Sequence, residues 1–242
     1  MRKISQRLFG CLFAFVAMMT GATTTAQETT VPLRYQENTP AETRQLVFVY
    51  VPDVEKTDGI VSCIAREDEN SPWKVELGPM KAQIGRNGFG NPGEKEEGNG
   101  KLPAGEWDLA FAYGFAPEPP AELKIPYRQI TDSDFWVDES TAPEYNHWVS
   151  GPEPAISHES LTQLKIRYNI GLVTLYNVHP TNPGKGSAIF LHVWLNPENP
   201  TAGCVALDRD DVVKILQWLD SSKRPRIRTQ STPQFPGTTE EQ

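Results

Sequence analysis

The sequence predicts a single, mainly β domain, built as a curved sandwich or partly closed barrel with one packed C-terminal helix. Runs with the length and composition of strands far outnumber stretches with a helical period. The clearest helical stretch is Asp208–Asp220. Strands and helices do not alternate along the chain, as they do in folds built on a parallel sheet. With 242 residues, the chain is long enough to bury a full hydrophobic core.

Strand segments are recognised along most of the chain. Leu46–Val51 is a continuous apolar run rich in β-branched residues, which is typical of a core strand, and Ile60–Ala65 is expected to be its hairpin partner. Trp73–Leu77 and Trp107–Tyr113 alternate between apolar and polar residues, as half-exposed strands do. Gly171–Leu175 is predicted to be a buried strand that follows a short turn or helix.

The C-terminal helix is predicted from its capping residues and its period. Asp208 is placed to cap a helix over 208–220, and Asp210 and Asp211 suit the positive end of the helix dipole. The apolar residues of this stretch have the spacing of one buried helix face: Val212, Ile215, Leu216 and Leu219. After the helix, Pro225–Arg228 is predicted to be a last edge strand.

Residues 1–26 have the features of a secretory signal peptide. Basic residues precede an apolar stretch, Leu8–Met19, that is too short to span a bilayer, and small residues offer a cleavage site after Ala26. An uncleaved N-terminal anchor is the alternative. Export to the periplasm or cell envelope is therefore expected, with no membrane span after cleavage.

The rest of the chain divides into three parts. Residues 27–43 are polar and predict a spacer, residues 44–229 form the predicted domain, and residues 230–242 predict a disordered tail. The net charge of −8 argues against nucleic acid and against anionic membrane surfaces as partners. A monomer without a cofactor or metal ion is expected.

The chemistry of the chain is concentrated in one stretch, Gly186–Leu207. An apolar run of strand length ends at His192, a proline-bracketed loop follows, and Cys204 comes directly before a second apolar run. A thiolate is a nucleophile, and a neighbouring imidazole both deprotonates a thiol and stabilises the thiolate. Gly203 allows a tight turn beside the sulfur, so that backbone N–H groups could face a developing oxyanion.

Other interpretations of these residues remain open at this point. Cys204 could be a buried small hydrophobic residue or form a disulfide with Cys63, although a buried, unpaired Cys63 is favoured because two cysteines make no framework. His179, His192 and Cys204 could supply three metal ligands, although their spacing matches no dense zinc pattern.

The same stretch resembles the catalytic motif of the L,D-transpeptidase (YkuD-type) family. In that family a His precedes a Ser/Thr-x-Gly-Cys sequence, which Thr201, Gly203 and Cys204 match here, with His192 as the histidine. The commoner form of the family motif has a second His at the position where this chain has Ala202. The sequence is similar to the branch whose motif reads GSAIFLH, then a short loop, then TAGC.

The resemblance covers Arg44 to Thr229 and implies a β-sandwich-like catalytic domain that acts on peptidoglycan stem peptides. It implies that Cys204 is acylated at the third stem residue and that an amine of a second stem resolves the thioester to make a cross-link. His192 would be the proton donor and acceptor. Resolution by water would instead make a carboxypeptidase or amidase, and a wall-binding module with a vestigial site is the non-catalytic alternative.

Supporting roles follow from position in the motif. The backbone N–H groups of Gly203 and Cys204 are the expected oxyanion donors, and Thr201 is expected to support them. His192 is expected to be oriented by a backbone carbonyl or by Asn177, which could also hold the catalytic loop by hydrogen bonds. Three further histidines match no catalytic position of the family: His147, His158 and His179.

Two other segments resemble parts of the family that lie near its active site. The Gly-rich segment Lys81–Gly105 lacks the ending of a phosphate-binding loop. Lys95, Glu97 and Gly98 match the family motif, whereas departures at Glu96, Asn99 and Leu102 argue against direct contact with substrate. Tyr127–Val149 is rich in aromatic and acidic residues. It is expected to be a long loop held by its aromatic side chains, with some acids facing solvent near the groove.

Overall fold

The computed structural model describes residues 30–31, 39–163 and 165–231. Over these ranges the chain forms one α-helix, α1 (Arg209–Trp218), and one short 3₁₀ helix, Ser221–Lys223. The strands of the described ranges are β1 (Thr30–Val31), β2 (Gln45–Tyr50), β3 (Asp58–Ala65), β4 (Trp73–Gln83), β5 (Phe89–Gly90), β6 (Leu102–Pro103), β7 (Gly105–Gly114), β8 (Tyr127–Gln129), β9 (Asp134–Val137), β10 (Trp148–Ser150), β11 (His158–Ser160), β12 (Ile170–Thr174), β13 (Phe190–Val193), β14 (Val205–Leu207) and β15 (Arg226–Gln230).

Most of the strands belong to one large sheet. Its order is β1-β4-β14-β13-β12-β7-β15-β2-β3, with β8 beside β7. Because β4 also pairs with β3, at the other end of this order, the strands form a ring around the main core. A three-stranded sheet, β10-β9-β11, and a two-stranded sheet, β5-β6, complete the fold. The prediction of a mainly β domain with one packed helix is confirmed.

The strongest sequence patterns correspond to the best-buried elements. Strands β2 and β3 pair antiparallel as the predicted hairpin, with Val47 opposite Cys63. Helix α1 begins after Asp208, whose side chain accepts a hydrogen bond from the N–H of Asp210. Its apolar face packs into the core, because Val212, Ile215 and Leu216 are fully buried, and Leu219, the residue that ends the helix, is fully buried as well.

The prediction of an edge strand at Pro225–Arg228 is wrong. Strand β15 lies inside the large sheet, parallel to β2 on one side and antiparallel to β7 on the other. The two arginines of this strand, Arg226 and Arg228, have their acidic partners Asp108 and Glu106 on β7. The Nε of Arg228 donates to Glu106 at 2.7 Å, so the charge is neutralised within the sheet.

The segment 127–149 is not the long loop that was expected. It contains β8, β9 and β10, and β9 pairs with β10 on one side and β11 on the other. Asp134 is buried at the start of β9, where its carboxylate accepts hydrogen bonds from Trp148 Nε1 and from the N–H and hydroxyl of Thr131, each at 2.8 Å. Other acids of the segment, such as Asp132 and Glu144, are exposed as expected.

At both ends, residues outside the predicted domain of 44–229 belong to strands of the large sheet. Thr30–Val31, within the predicted spacer, pairs with Trp73–Lys74 of β4, and Gln230 is the last residue of β15. The predicted signal peptide and the tail beyond residue 231 lie outside the described residues. Among the residues that are described, no helix is long and apolar enough to cross a membrane.

Candidate active site

Strands β13 and β14 bring His192 and Cys204 to one place. The two strands are parallel neighbours, with Leu191 opposite Val205 and His192 opposite Ala206. Cys204 directly precedes β14, so it lies beside the start of β13. Both side chains line a single cavity of about 190 Å³.

The thiol of Cys204 is enclosed by the backbone of the segment that leads into β13. Its Sγ donates a hydrogen bond to the carbonyl oxygen of Ala188 at 3.1 Å and accepts one from the N–H of Phe190 at 3.4 Å. Only 6% of Cys204 is exposed. Burial raises the pKa of this thiol to about 12, although the Phe190 N–H acts in the opposite direction. The resting group is therefore a neutral thiol.

The imidazole of His192 is also buried, with 4% of the residue exposed. Its Nδ1 lies 2.8 Å from the carbonyl oxygen of Val193, and its ring packs edge-on against Tyr168 with centroids 5.7 Å apart. Burial lowers the pKa of His192 to about 4. The ring is therefore neutral near pH 7, and a backbone carbonyl orients it, whereas the alternative orienting residue, Asn177, does not.

Thr201 fixes the turn that carries the thiol. Its hydroxyl accepts a hydrogen bond from the Gly203 N–H at 3.0 Å and donates one to the Cys204 carbonyl oxygen at 2.8 Å. Its backbone N–H donates to Ile84, and its carbonyl accepts from Arg86, both at 2.8 Å. The Gly203 N–H, which the sequence suggested as an oxyanion donor, is thus bonded to Thr201, and the Cys204 N–H is the remaining candidate of the pair.

Asn177 lies at the corner after β12, away from the thiol. Its side-chain amide donates to the carbonyl oxygens of Asn182 and Gly186 at 3.0 and 2.9 Å, and its Oδ1 accepts from the Asn182 N–H at 2.8 Å. It therefore holds the loop that leads into the Cys204 cavity, but it lines a different, open cavity together with His179.

The residues of the disulfide and metal-site alternatives are unpaired or line different cavities. Cys63 and Cys204 are both free and buried, so the disulfide is absent, and burial raises the pKa of Cys63 far above its ordinary value. His179 does not line the cavity that contains His192 and Cys204. Within the described ranges, no group of three His, Cys, Asp or Glu residues is arranged to hold a metal ion.

The family model of YkuD, the L,D-transpeptidase catalytic domain, matches residues 67–238. The chain belongs to the YkuD family. The matched range includes His192 and Cys204, whereas β2 and β3 precede it. No curated protein and no solved structure matches the chain.

Sequence reasoning missed several residues of this YkuD site. Lys95, Glu97 and Gly98 of the Gly-rich segment line the cavity, although the segment was not expected to contact substrate. Their agreement with the family wording was the available signal. Asp138, from the acidic segment Tyr127–Val149, also lines the cavity. Glu159 and Arg167, which lie outside the segments that resemble the family, line it too and had no comparable signal in the sequence.

Asn146 was also missed. It is 1% exposed, and its Oδ1 accepts hydrogen bonds from the Ala188 N–H at 3.0 Å and from Trp136 Nε1 at 3.1 Å. Its Nδ2 donates to the carbonyl oxygens of Tyr176 and Asn177, both at 2.8 Å. Asn146 therefore positions Ala188, whose carbonyl oxygen accepts the hydrogen bond of the Cys204 thiol.

Proposed function

We propose that this chain is an exported L,D-transpeptidase, a cysteine acyltransferase that acts on peptidoglycan stem peptides. The observation that carries the proposal is that the Cys204 thiol and the His192 imidazole line one cavity in a member of the YkuD family. In this proposal Cys204 is the nucleophile, His192 the proton donor and acceptor, and three residues support them: Thr201, Gly203 and Asn177.

The first half-reaction forms a thioester. Nε2 of His192 takes the thiol proton, and the Cys204 sulfur attacks the carbonyl carbon of the third stem residue. The resulting oxyanion is stabilised by the Cys204 N–H. The C–N bond to the terminal D-amino acid then breaks, and His192 returns its proton to the leaving amine.

In the second half-reaction an amine of a neighbouring stem attacks the thioester carbonyl. His192 accepts the proton of that amine, the new amide bond forms, and the Cys204 sulfur leaves and recovers its proton from His192. Attack by water follows the same route and releases a free carboxylate, which would make the enzyme a carboxypeptidase or amidase.

The proposed setting agrees with this substrate. Residues 1–26 act as a signal peptide, 27–43 as a spacer, 44–229 as the catalytic domain and 230–242 as a tail. The domain then works in the periplasm or cell envelope, which is where stem peptides are found. The N-terminal sequence of the exported protein is expected to begin near Gln27.

The test is incubation of the protein with a tetrapeptide stem, followed by intact-mass measurement. We expect a mass increase equal to the tripeptide acyl group and stoichiometric release of the terminal D-amino acid. Cys204→Ala should show neither, whereas Cys63→Ala, the matched control, should show both. Added stem amine should convert the acyl-enzyme into cross-linked product.

Two outcomes would contradict parts of this proposal. Hydrolysis that is unaffected by added stem amine would identify the carboxypeptidase. Binding of stem peptide without release of a D-amino acid would identify a non-catalytic wall-binding module.

A further inference from the structure

Lys95 has a buried ammonium group beside the Cys204 cavity. The residue is 4% exposed, and its Nζ donates to Asn99 Oδ1 at 3.3 Å. Within the part of the chain that the structure describes, no carboxylate lies within ion-pair distance of this ammonium. Burial lowers the pKa of Lys95, whereas a charge on Cys204 and the charge of Glu97 raise it. A buried ammonium is costly without a negative group nearby, and both of these groups line the same cavity.

Two glycines form the slot that admits this side chain. A Cβ on Gly186 would lie 2.6 Å from Lys95 Cε, and a Cβ on Gly203 would lie 2.9 Å from Lys95 Nζ. Both glycines have positive φ, +94° and +143°. Since Gly203 directly precedes Cys204, the Lys95 ammonium in this slot lies beside the turn that carries the thiol.

Several other charged or titratable groups surround the thiol. The Gly-rich segment contributes Lys95 and Glu97, the segment after β9 contributes Asp138, β11 contributes Glu159, the segment before β12 contributes Arg167 and Tyr168, β7 contributes Tyr113, and β13 contributes His192. Glu159 opposes a negative charge on the sulfur, whereas Lys95 and Arg167 favour one. His192 is neutral at rest, so it offers no preformed positive charge.

We propose that Lys95 is the counter-charge of the Cys204 thiolate. The inference rests on the proposed role of Cys204 as nucleophile. When the thiol proton passes to His192, the negative charge left on the sulfur faces the ammonium across the Gly203 turn. The ammonium stabilises the thiolate by its charge and takes no part in the proton transfer.

The test uses iodoacetamide, a neutral probe that needs no substrate recognition. The thiolate displaces iodide, and the rate against pH reports how readily Cys204 ionises. Peptide mapping separates Cys204 from the other cysteines, Cys11 and Cys63. Lys95→Met keeps the length of the side chain. At pH values below the pKa of Cys204, this variant should slow alkylation of Cys204 about tenfold, and it should move the pH profile about one unit upward.

Matched variants separate the charge from the packing. Lys101→Met removes a partly exposed lysine of the same segment, one that pairs with Glu94, and should leave the profile unchanged. Lys95→Arg keeps the charge and should keep most of the reactivity. A Lys95→Arg variant as slow as Lys95→Met would overturn the proposal in favour of a packing role.

The slot provides a second test. Gly186→Ala puts a methyl group against the Lys95 stem and should shift the profile in the same direction as Lys95→Met. Gly184→Ala is the control, because Gly184 also has positive φ, +74°, but nothing lies within 4 Å of its Cβ position. Equal pH profiles for these two alanine variants would overturn the claim that the slot positions the Lys95 ammonium.

The result distinguishes this inference from the proposed function. An unchanged alkylation profile in Lys95→Met, with weaker stem-peptide acylation, would show that the ammonium binds a substrate carboxylate and would overturn the counter-charge assignment. A shifted profile in a protein that never transfers an acyl group would support the assignment of Lys95 and overturn the transpeptidase proposal instead.

Discussion

The Nδ1 atom of His192 lies 2.8 Å from the carbonyl oxygen of Val193, so the imidazole is oriented by the backbone of its own strand. A carbonyl oxygen only accepts hydrogen bonds, so Nδ1 carries the proton of the neutral ring and Nε2 keeps its lone pair. The backbone thereby selects the tautomer that a general base needs, without a third side chain.

The first prediction concerns the activity of His192. His192→Ala should slow acylation of Cys204 by a tetrapeptide stem about a hundred- to ten-thousand-fold, because it removes both thiol deprotonation and protonation of the leaving amine. Residues that act as a unit are not additive, so His192→Ala combined with Cys204→Ala should be little worse than Cys204→Ala alone. Single-turnover acylation read by intact mass is the measurement.

The other histidines are the controls for that experiment. His147 and His158 each point Nδ1 at a nearby backbone carbonyl, and His179 lines a different cavity. Their alanine variants should each keep most of the acylation rate. Acylation of the His192→Ala variant at the wild-type rate would show that another group takes the thiol proton.

A second prediction concerns stability in acid. Burial lowers the pKa of His192 from 6.5 to about 4. The folded form therefore binds this proton less readily than the unfolded form, so stability that is present above pH 6.5 is lost as the pH falls through 4. Between pH 7 and pH 4, wild type should lose up to about 3 kcal/mol more free energy of unfolding than His192→Gln. Urea titrations at the two pH values measure this, and equal losses would refute it.

The sequence predicted the structure best where the residues that determine an element lie close together in the chain. The hairpin of β2 and β3 follows from two neighbouring apolar runs, and α1 follows from a cap and a helical period within one stretch. His192 and Cys204 were found for the same reason, since one short stretch contains both. Such signals are local, and they do not depend on the rest of the fold.

The missed features depend on partners that are distant in the sequence. Strand β15 is central because Arg228 finds Glu106 on β7, 122 residues away. Asn146 was missed because its value lies in a hydrogen bond from the N–H of Ala188, 42 residues away. In the sequence, Lys95 is one of the lysines of a turn-rich segment, and only the tertiary structure shows that it is buried beside Gly203.

A third prediction concerns Thr201, whose buried hydroxyl bonds both the Gly203 N–H and the Cys204 carbonyl oxygen. Thr201→Val keeps the shape but leaves both groups without that partner, and each unsatisfied buried group costs about 1–3 kcal/mol. We therefore expect a loss of at least about 2 kcal/mol in the free energy of unfolding. Thr201→Ser retains the hydroxyl and should lose clearly less. Equal stability of the two variants in urea titrations would mean that the hydroxyl does not hold the turn.

The last prediction concerns Asn146, which bonds Ala188 on one side and the carbonyl oxygens of Tyr176 and Asn177 on the other. Asn146→Asp keeps the size but replaces the two N–H donors by a charged oxygen that faces those carbonyls. At pH 7 the free energy of unfolding should fall by at least about 2 kcal/mol, because a charge is buried and the new carboxylate oxygen faces two carbonyl oxygens without a donor.

The dependence of that loss on pH identifies its cause. Burial raises the pKa of such an aspartate, so the loss should shrink as the pH falls, when the protonated carboxyl can again donate one hydrogen bond. Asn70→Asp, which makes the same change at an exposed position, should show no comparable loss at either pH. Urea titrations at pH 7 and pH 4.5 measure both variants. Because Ala188 accepts the thiol hydrogen bond, alkylation of Cys204 should change in Asn146→Asp alone. A variant as stable as wild type at pH 7 would mean that Asn146 does not hold the Ala188 backbone in place.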